Sequence, residues 1–232
     1  MYEPARIGTI LLLAQICSPA LAQDTAAEYR SELDVYLNTG SRTRVLIQNF
    51  FEDTPRTENS DTNFAGFFEL ALRPVFRRNL RDTLDVFRER YLTFRAGYLR
   101  RRSVTDGQVT RENRLILEFT ARYPLKSHFV IVDRNRGEFR FIQNKSFSER
   151  YRNRLWIERD FKTGSLGFSP FVYDEVIYDA RFNALATNRL ATGIQILQNK
   201  HMIWQPYVFR EHHTRGEPRY TNAVALQLSL FF

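Results

Sequence analysis

The chain has little that soluble enzymes rely on. One cysteine, Cys17, and four histidines occur in 232 residues, and no apolar run beyond residue 22 approaches the roughly 18 residues a membrane-spanning helix needs. The longest runs are short, such as Phe129-Val130-Ile131-Val132. Without cysteine past residue 17 there is no disulfide framework, thiol chemistry or cysteine metal site. No HExxH, GxSxG or phosphate-binding loop is present. A rim-active lipid hydrolase would need a serine beside a base that is itself oriented by a third group. In Ser127-His128 the two side chains would leave a strand on opposite faces and could not pair. His212-His213, with Glu211 and Glu217 nearby, is not a closed ligand set. The expectation is therefore no catalytic residue, no metal and no cofactor. Glycine (10) and proline (8) are also scarce, which leaves no low-complexity linker to divide the chain.

What the chain does have is aromatics, arginine and a period of two. It carries 20 phenylalanines and 11 tyrosines. In Tyr220–Phe232, Val224, Leu226, Leu228, Leu230 and Phe232 share one face, and Ala225, Gln227 and Ser229 share the other. Alternation of this kind is a β-strand. An apolar strand ending in phenylalanine is the pattern expected of the closing strand of an outer-membrane barrel. Tyr220, Val224, Leu226, Leu228, Leu230 and Phe232 are accordingly read as its assembly signal, recognised by barrel assembly machinery.

At the other end, Ile7–Leu21 is mostly apolar, follows Arg6 and closes on Ala20-Leu21-Ala22. This spells a secretory signal peptide over residues 1–22, cleaved after Ala22. Ile16 stands where a lipoprotein signal requires a small residue, so Cys17 is not read as a lipid anchor. Residues 23–232 are expected to form a single barrel domain in the bacterial outer membrane. The formal charge of +8 would suit nucleic acid. An exported chain with dispersed arginines is instead matched to outer-membrane lipid and lipopolysaccharide phosphates, with no nucleic-acid partner. A soluble periplasmic β-sandwich is the competing architecture.

Strand-like segments fall near 27–37, 42–52, 63–75, 87–101, 111–123, 128–142, 149–160, 169–180, 186–197, 201–212 and 219–232. Bacterial barrels have even strand numbers, so eleven segments point to about 12 strands, with 10 as the alternative. The stretch from Phe64 to Arg90 is where the count is least secure. Tyr123–Lys126 and Gln198–Lys200 read as short periplasmic turns; Gln143–Glu149 and His213–Arg219 read as longer outer loops. The fold class is thus all-β, a closed antiparallel transmembrane β-barrel.

Parity then sorts the charges. Tyr151, Leu155 and Ile157 face lipid while Arg152, Arg154, Trp156 and Glu158 face the lumen. Leu115, Leu117, Phe119 and Tyr123 oppose Arg114, Glu118 and Arg122. Phe129, Ile131, Phe139 and Phe141 oppose Arg134, Arg136, Glu138 and Arg140. Leu190, Ile194 and Ile196 oppose Arg189 and Gln195. An arginine on the lipid face at mid-depth would cost about 2–4 kcal/mol. The pair Asn-Arg recurs at 113–114, 135–136, 153–154 and 188–189, each time sending arginine inward. The lumen should hold arginines interleaved with Glu118, Glu138, Glu158 and one of Asp174 or Glu175.

The run Arg134-Asn135-Arg136-Gly137-Glu138-Phe139-Arg140, then Tyr151-Arg152-Asn153-Arg154-Leu155, Tyr173-Asp174-Glu175-Val176 and Asn188-Arg189-Leu190, resembles an uncharacterised outer-membrane barrel family of Gram-negative bacteria, domain-of-unknown-function family 2490. That resemblance implies an outer-membrane barrel and supplies no activity. The leading expectation is a closed structural or interaction barrel with a charged, side-chain-filled lumen. The alternative is a small anion-preferring channel or ligand-binding barrel, and the third is the rim-active hydrolase.

Overall fold

The computed structural model describes residues 25–55, 59–72, 91–163, 166–215 and 218–232. The expected signal segment, its expected cleavage site and residues 73–90 lie outside the described residues. Twelve strands are present among the described residues: β1 (Thr25–Asn38), β2 (Thr43–Thr54), β3 (Asn59–Ala71), β4 (Leu92–Thr105), β5 (Gln108–Pro124), β6 (Phe129–Ile142), β7 (Ser148–Arg159), β8 (Phe161–Thr163), β9 (Leu166–Asp179), β10 (Ala184–Asn199), β11 (Met202–His213) and β12 (Tyr220–Phe231). Each of the eleven sequence segments corresponds to one long strand.

Neighbouring strands pair in chain order, and β12 pairs with β1, so the sheet closes on itself. The ring itself has eleven strands. The short β8 lies outside that count and prolongs β7 along β9 without a change of register: Glu158 faces Phe171 and Phe161 faces Phe168. An odd ring of up-and-down strands must contain one parallel seam. Here it is β1–β12, with Thr25 opposite Tyr220 and Tyr36 opposite Phe231. The expectation of an even ring gives way to this seam. Beyond β12, Phe232 donates its backbone N–H to the Tyr36 carbonyl (2.9 Å), and its own carbonyl accepts from Asn38 (2.8 Å). The seam is therefore hydrogen-bonded to the end of both strands.

The strands are staggered. Tyr220 faces Thr25 across the seam, and the ladder that leaves it through His212, Asn188, Val176 and Asn153 continues to Leu70 and Thr43 and returns to β1 beside Thr39. That is an advance of roughly fourteen residues along β1, the kind of stagger that accompanies strands tilted by about 35–45°.

Alternation decides which side chains are inside. In β3 and β9, buried and exposed residues alternate along most of the strand. Leu115, Leu117, Leu155, Val172, Leu190 and Leu226 are exposed on the outer wall. Exposed aromatics flank this apolar band at both ends: Tyr29, Phe51, Phe141, Phe147 and Phe182 at one, Phe68, Phe94, Tyr123 and Phe232 at the other. Apolar band and aromatic girdles are the outer surface of a transmembrane barrel. The connections at residues 125–128 and 200–201 lie at the end of the barrel where β12 finishes; those at 143–147, 214–215 and 218–219 lie at the opposite end.

Two apolar clusters partly fill the interior. Leu46, Ala65, Phe67, Leu99 and Ile116 pack across β2–β5. Trp156, Phe171, Tyr173, Tyr207 and Phe209 pack across β7–β11, with Trp156 and Phe171 stacked at 3.8 Å. Gly193 makes room for the second cluster: a Cβ there would stand 2.6 Å from the Pro206 carbonyl oxygen and 2.4 Å from the Tyr207 Cβ. Such close approach of two strands admits only glycine.

Candidate functional site

Between and above these clusters lies a cavity of about 540 Å³ lined by every long strand of the ring. Its chemistry follows from parity, because each inward position of β4–β7 that is not apolar carries mostly arginine or glutamate. Taken out of water, such groups are tolerated only when paired and hydrogen-bonded. The pairing here is cooperative. Glu175, wholly buried, collects four arginines from three other strands: Arg134 (2.5 Å), Arg152 (2.7 Å), Arg154 (3.2 Å) and Arg189 (3.5 Å). Glu118 binds Arg136 (2.5 Å), Arg95 (3.1 Å) and Arg134 (3.8 Å). Glu138 binds Arg114 (3.2 Å), Arg152 (3.3 Å) and Arg150 (3.9 Å). Arg140 bridges Glu112 (2.5 Å) and Asp179 (2.8 Å), and Arg114 also reaches Glu112 (2.8 Å). Each carboxylate thereby ties together strands that backbone bonds join only in pairs.

Of the remaining lumen residues read from sequence, Arg122 and Glu158 line the cavity, and Glu158 accepts a hydrogen bond from the Trp156 indole N–H (2.9 Å). Arg189 pairs with Glu211. Between Asp174 and Glu175, Glu175 is the lumen residue; Asp174 faces outward and accepts from Asn188 (2.8 Å). Sequence reasoning missed Arg95, Glu112 and Asp179, which stand at the same inward parity. It also missed the inward side of β1–β3 altogether. There Glu69 binds Arg44 (2.6 Å) and Arg95 (2.7 Å), and Arg30 binds Glu52. The signal was available as Glu28, Arg30, Glu32 and Asp34 at alternate positions of one strand.

The Asn-Arg repeat has a second half that parity alone implies. With arginine inward, asparagine faces out, and Asn153 donates to Asp133 (2.7 Å) and to Asn135 (3.0 Å) across β6 and β7. Leu155 therefore sits between two outward carboxylates, facing Asp133 on β6 and Asp174 on β9.

The histidines do not converge. His213 turns inward beside Thr187 and Thr221, whereas His212 stacks on Tyr220 at 5.0 Å outside. Ser127 and His128 are not on a strand, as the sequence argument assumed. Both occupy the turn before β6 with positive φ (61° and 63°), because a short reversal after Pro124 needs left-handed backbone. No hydrogen bond joins their side chains among the described residues. Groups of three or more metal-binding side chains are also absent among the described residues. Outside the strands, Arg181 donates to Asp179 (2.7 Å), which raises the guanidinium pKa above its ordinary value.

Sequence comparison gives one family. The profile of a family described as a protein of unknown function, DUF2490, matches residues 36–222. No curated protein matches. Among solved structures, the anion-selective porin from Comamonas acidovorans superposes with a TM-score of 0.40 at 7% identity, over 83% of this chain and 53% of the porin. The chain thus spans about half the length of that porin. The beta domain of the Bordetella autotransporter Brka superposes with a TM-score of 0.48 at 11% identity, over 81% of this chain and 83% of that domain.

Proposed function

The chain belongs to the DUF2490 family of proteins of unknown function, and from that premise we propose that it is an outer-membrane β-barrel with a closed, ion-paired lumen, serving as a structural or interaction barrel. The observation that carries this reading is the sharing of buried carboxylates among strands, above all Glu175 with arginines from β6, β7 and β10. A pore needs charges held by water and free to exchange with passing ions. Guanidiniums locked three or four to a carboxylate instead cross-link the wall. The apolar band and its aromatic girdles support insertion in a bilayer.

The natural partner of the exposed rim is lipopolysaccharide. Among the described residues, the end opposite the finish of β12 carries seven exposed arginines, including Arg100, Arg102, Arg111, Arg210 and Arg219. Guanidiniums bind phosphate bidentately, so this end faces the outer leaflet, and barrel assembly machinery acts at the β1–β12 seam.

Single-channel conductance of the folded protein in planar bilayers tests the closed-lumen reading. Heat-modifiable migration together with electrical silence is the expected result. A steady anion-preferring current would replace this reading with transport.

A further inference from the structure

The cavity is electrically polarised from one side to the other. Among its lining groups, β4, β5 and β6 contribute two arginines each and β7 three, against Glu118 and Glu158. The facing strands β1–β3 contribute five carboxylates, against Arg30 and Arg44. In an eleven-strand ring β1 and β6 are diametrically opposed, so the two charged walls look at each other across the lumen. Glu138 and Glu175 are 1% and 0% exposed and lie beneath the arginines rather than at the cavity surface.

The acidic wall has a feature the basic wall lacks. Glu32 and Asp34 both accept from the same Gln48 amide nitrogen, at 2.6 and 2.9 Å, which sets them side by side. Among the described residues neither forms an ion pair. A chain of side-chain amides instead points its donors at Asp34: Gln195 to Gln205 (3.0 Å), Gln205 to Gln227 (3.2 Å) and Gln227 to Asp34 (2.8 Å). Neutral donors hold a carboxylate in place without neutralising it. Two adjacent carboxylates that no described cation pairs with directly are a place for an ammonium group.

A separate observation points the same way. Asn63, 1% exposed and lining this cavity, has no partner for either amide atom. It stands on the ladder of Glu32, two strands away, with Phe50 between them. Across the lumen, the Nε atoms of Arg134 and Arg152 also lack hydrogen-bond partners. Buried polar groups are almost always satisfied, by protein or by a molecule bound beside them. An asparagine amide presents N–H donors and a carbonyl acceptor side by side, so it can pair with both the C=O and the N–H of a peptide unit.

We propose that the cavity binds a short zwitterionic peptide, with its ammonium group at Glu32 and Asp34, a peptide group at Asn63 and its carboxylate against the arginines of β6 and β7. The volume is within the range of small-ligand sites, about 300–1,000 Å³. This inference rests on the barrel reading but not on the lumen being electrically closed.

Calorimetry on the folded, detergent-purified protein tests it with three probes: trialanine, N-acetyl-trialanine and trialanine amide. Trialanine should bind at least tenfold more tightly than either capped form. Glu32→Gln should reduce trialanine to the level of the N-acetyl form and leave that form's affinity unchanged. Glu32 makes a single side-chain hydrogen bond among the described residues, so heat-modifiable migration should be retained, and Glu32→Asp should restore part of the preference. Equal binding of trialanine and its N-acetyl form would overturn the proposal and leave a simple anion site. Absence of binding by all three probes would overturn it outright. A steady current in bilayers would remove the closed-lumen reading yet leave this preference measurable.

Discussion

A single buried glutamate bears more of this lumen than its position in the sequence announces. Glu175 serves four arginines, and removing one partner of a buried charge network strands the rest; breaking a buried pair costs about 3–5 kcal/mol. Glu175→Gln should therefore lower the urea midpoint of unfolding in lipid or detergent far more than Glu149→Gln, which alters an exposed side chain. Equal midpoints would show that the arginines find other partners. On the outer wall, two leucines that look equivalent in sequence are not. Leu115 is exposed between Tyr98 and Phe139, whereas Leu155 lies between Asp133 and Asp174. An arginine at Leu115 meets lipid with no counter-charge and should cost about 2–4 kcal/mol. An arginine at Leu155 has two carboxylates within reach and should cost less. Unfolding midpoints of Leu115→Arg and Leu155→Arg compared in one bilayer would decide this, and the reverse order would count against the outward placement of Asp133 and Asp174.

At the scale of elements, the seam is where this barrel departs from the sequence reading. A strand's period marks its existence and its two faces, so all eleven segments were legible from the alternation of apolar and polar residues. Period says nothing about which strand lies beside which. On period alone an odd count points to about 12 strands or to 10, whereas the ring closes through a parallel β1–β12 pair. Phe232 adds two backbone hydrogen bonds to that seam. Its deletion should reduce the folded fraction seen as heat-modifiable migration, and a short strand elsewhere, such as β8, should tolerate loss of a terminal residue better. An unchanged folded fraction would mean that the seam is held by Tyr220–Phe231 alone.

For the whole molecule, the distribution of charge is more informative than its sum. The net +8 is not a basic interior; inside, most arginines and carboxylates are paired, while arginine is in excess at one rim among the described residues. If that rim meets lipopolysaccharide, Arg100→Gln, Arg102→Gln and Arg111→Gln combined should weaken association of the folded protein with lipopolysaccharide micelles, and the wild-type association should fall as salt rises. Insensitivity to both would remove lipopolysaccharide phosphate as the rim's partner.

The sequence by itself determined strand identity, the inward and outward faces and the arginine-rich interior, because each of these depends on a repeat of two along one chain. It did not reveal that Glu175 rather than Asp174 enters the network, that Glu32 and Asp34 form no ion pair among the described residues, or that acidic and basic walls face each other. Those depend on register, on strand order around the ring and on which strands lie a half-turn apart. Closure of the barrel decides all three, since only closure brings β1 and β6 to opposite sides of one cavity.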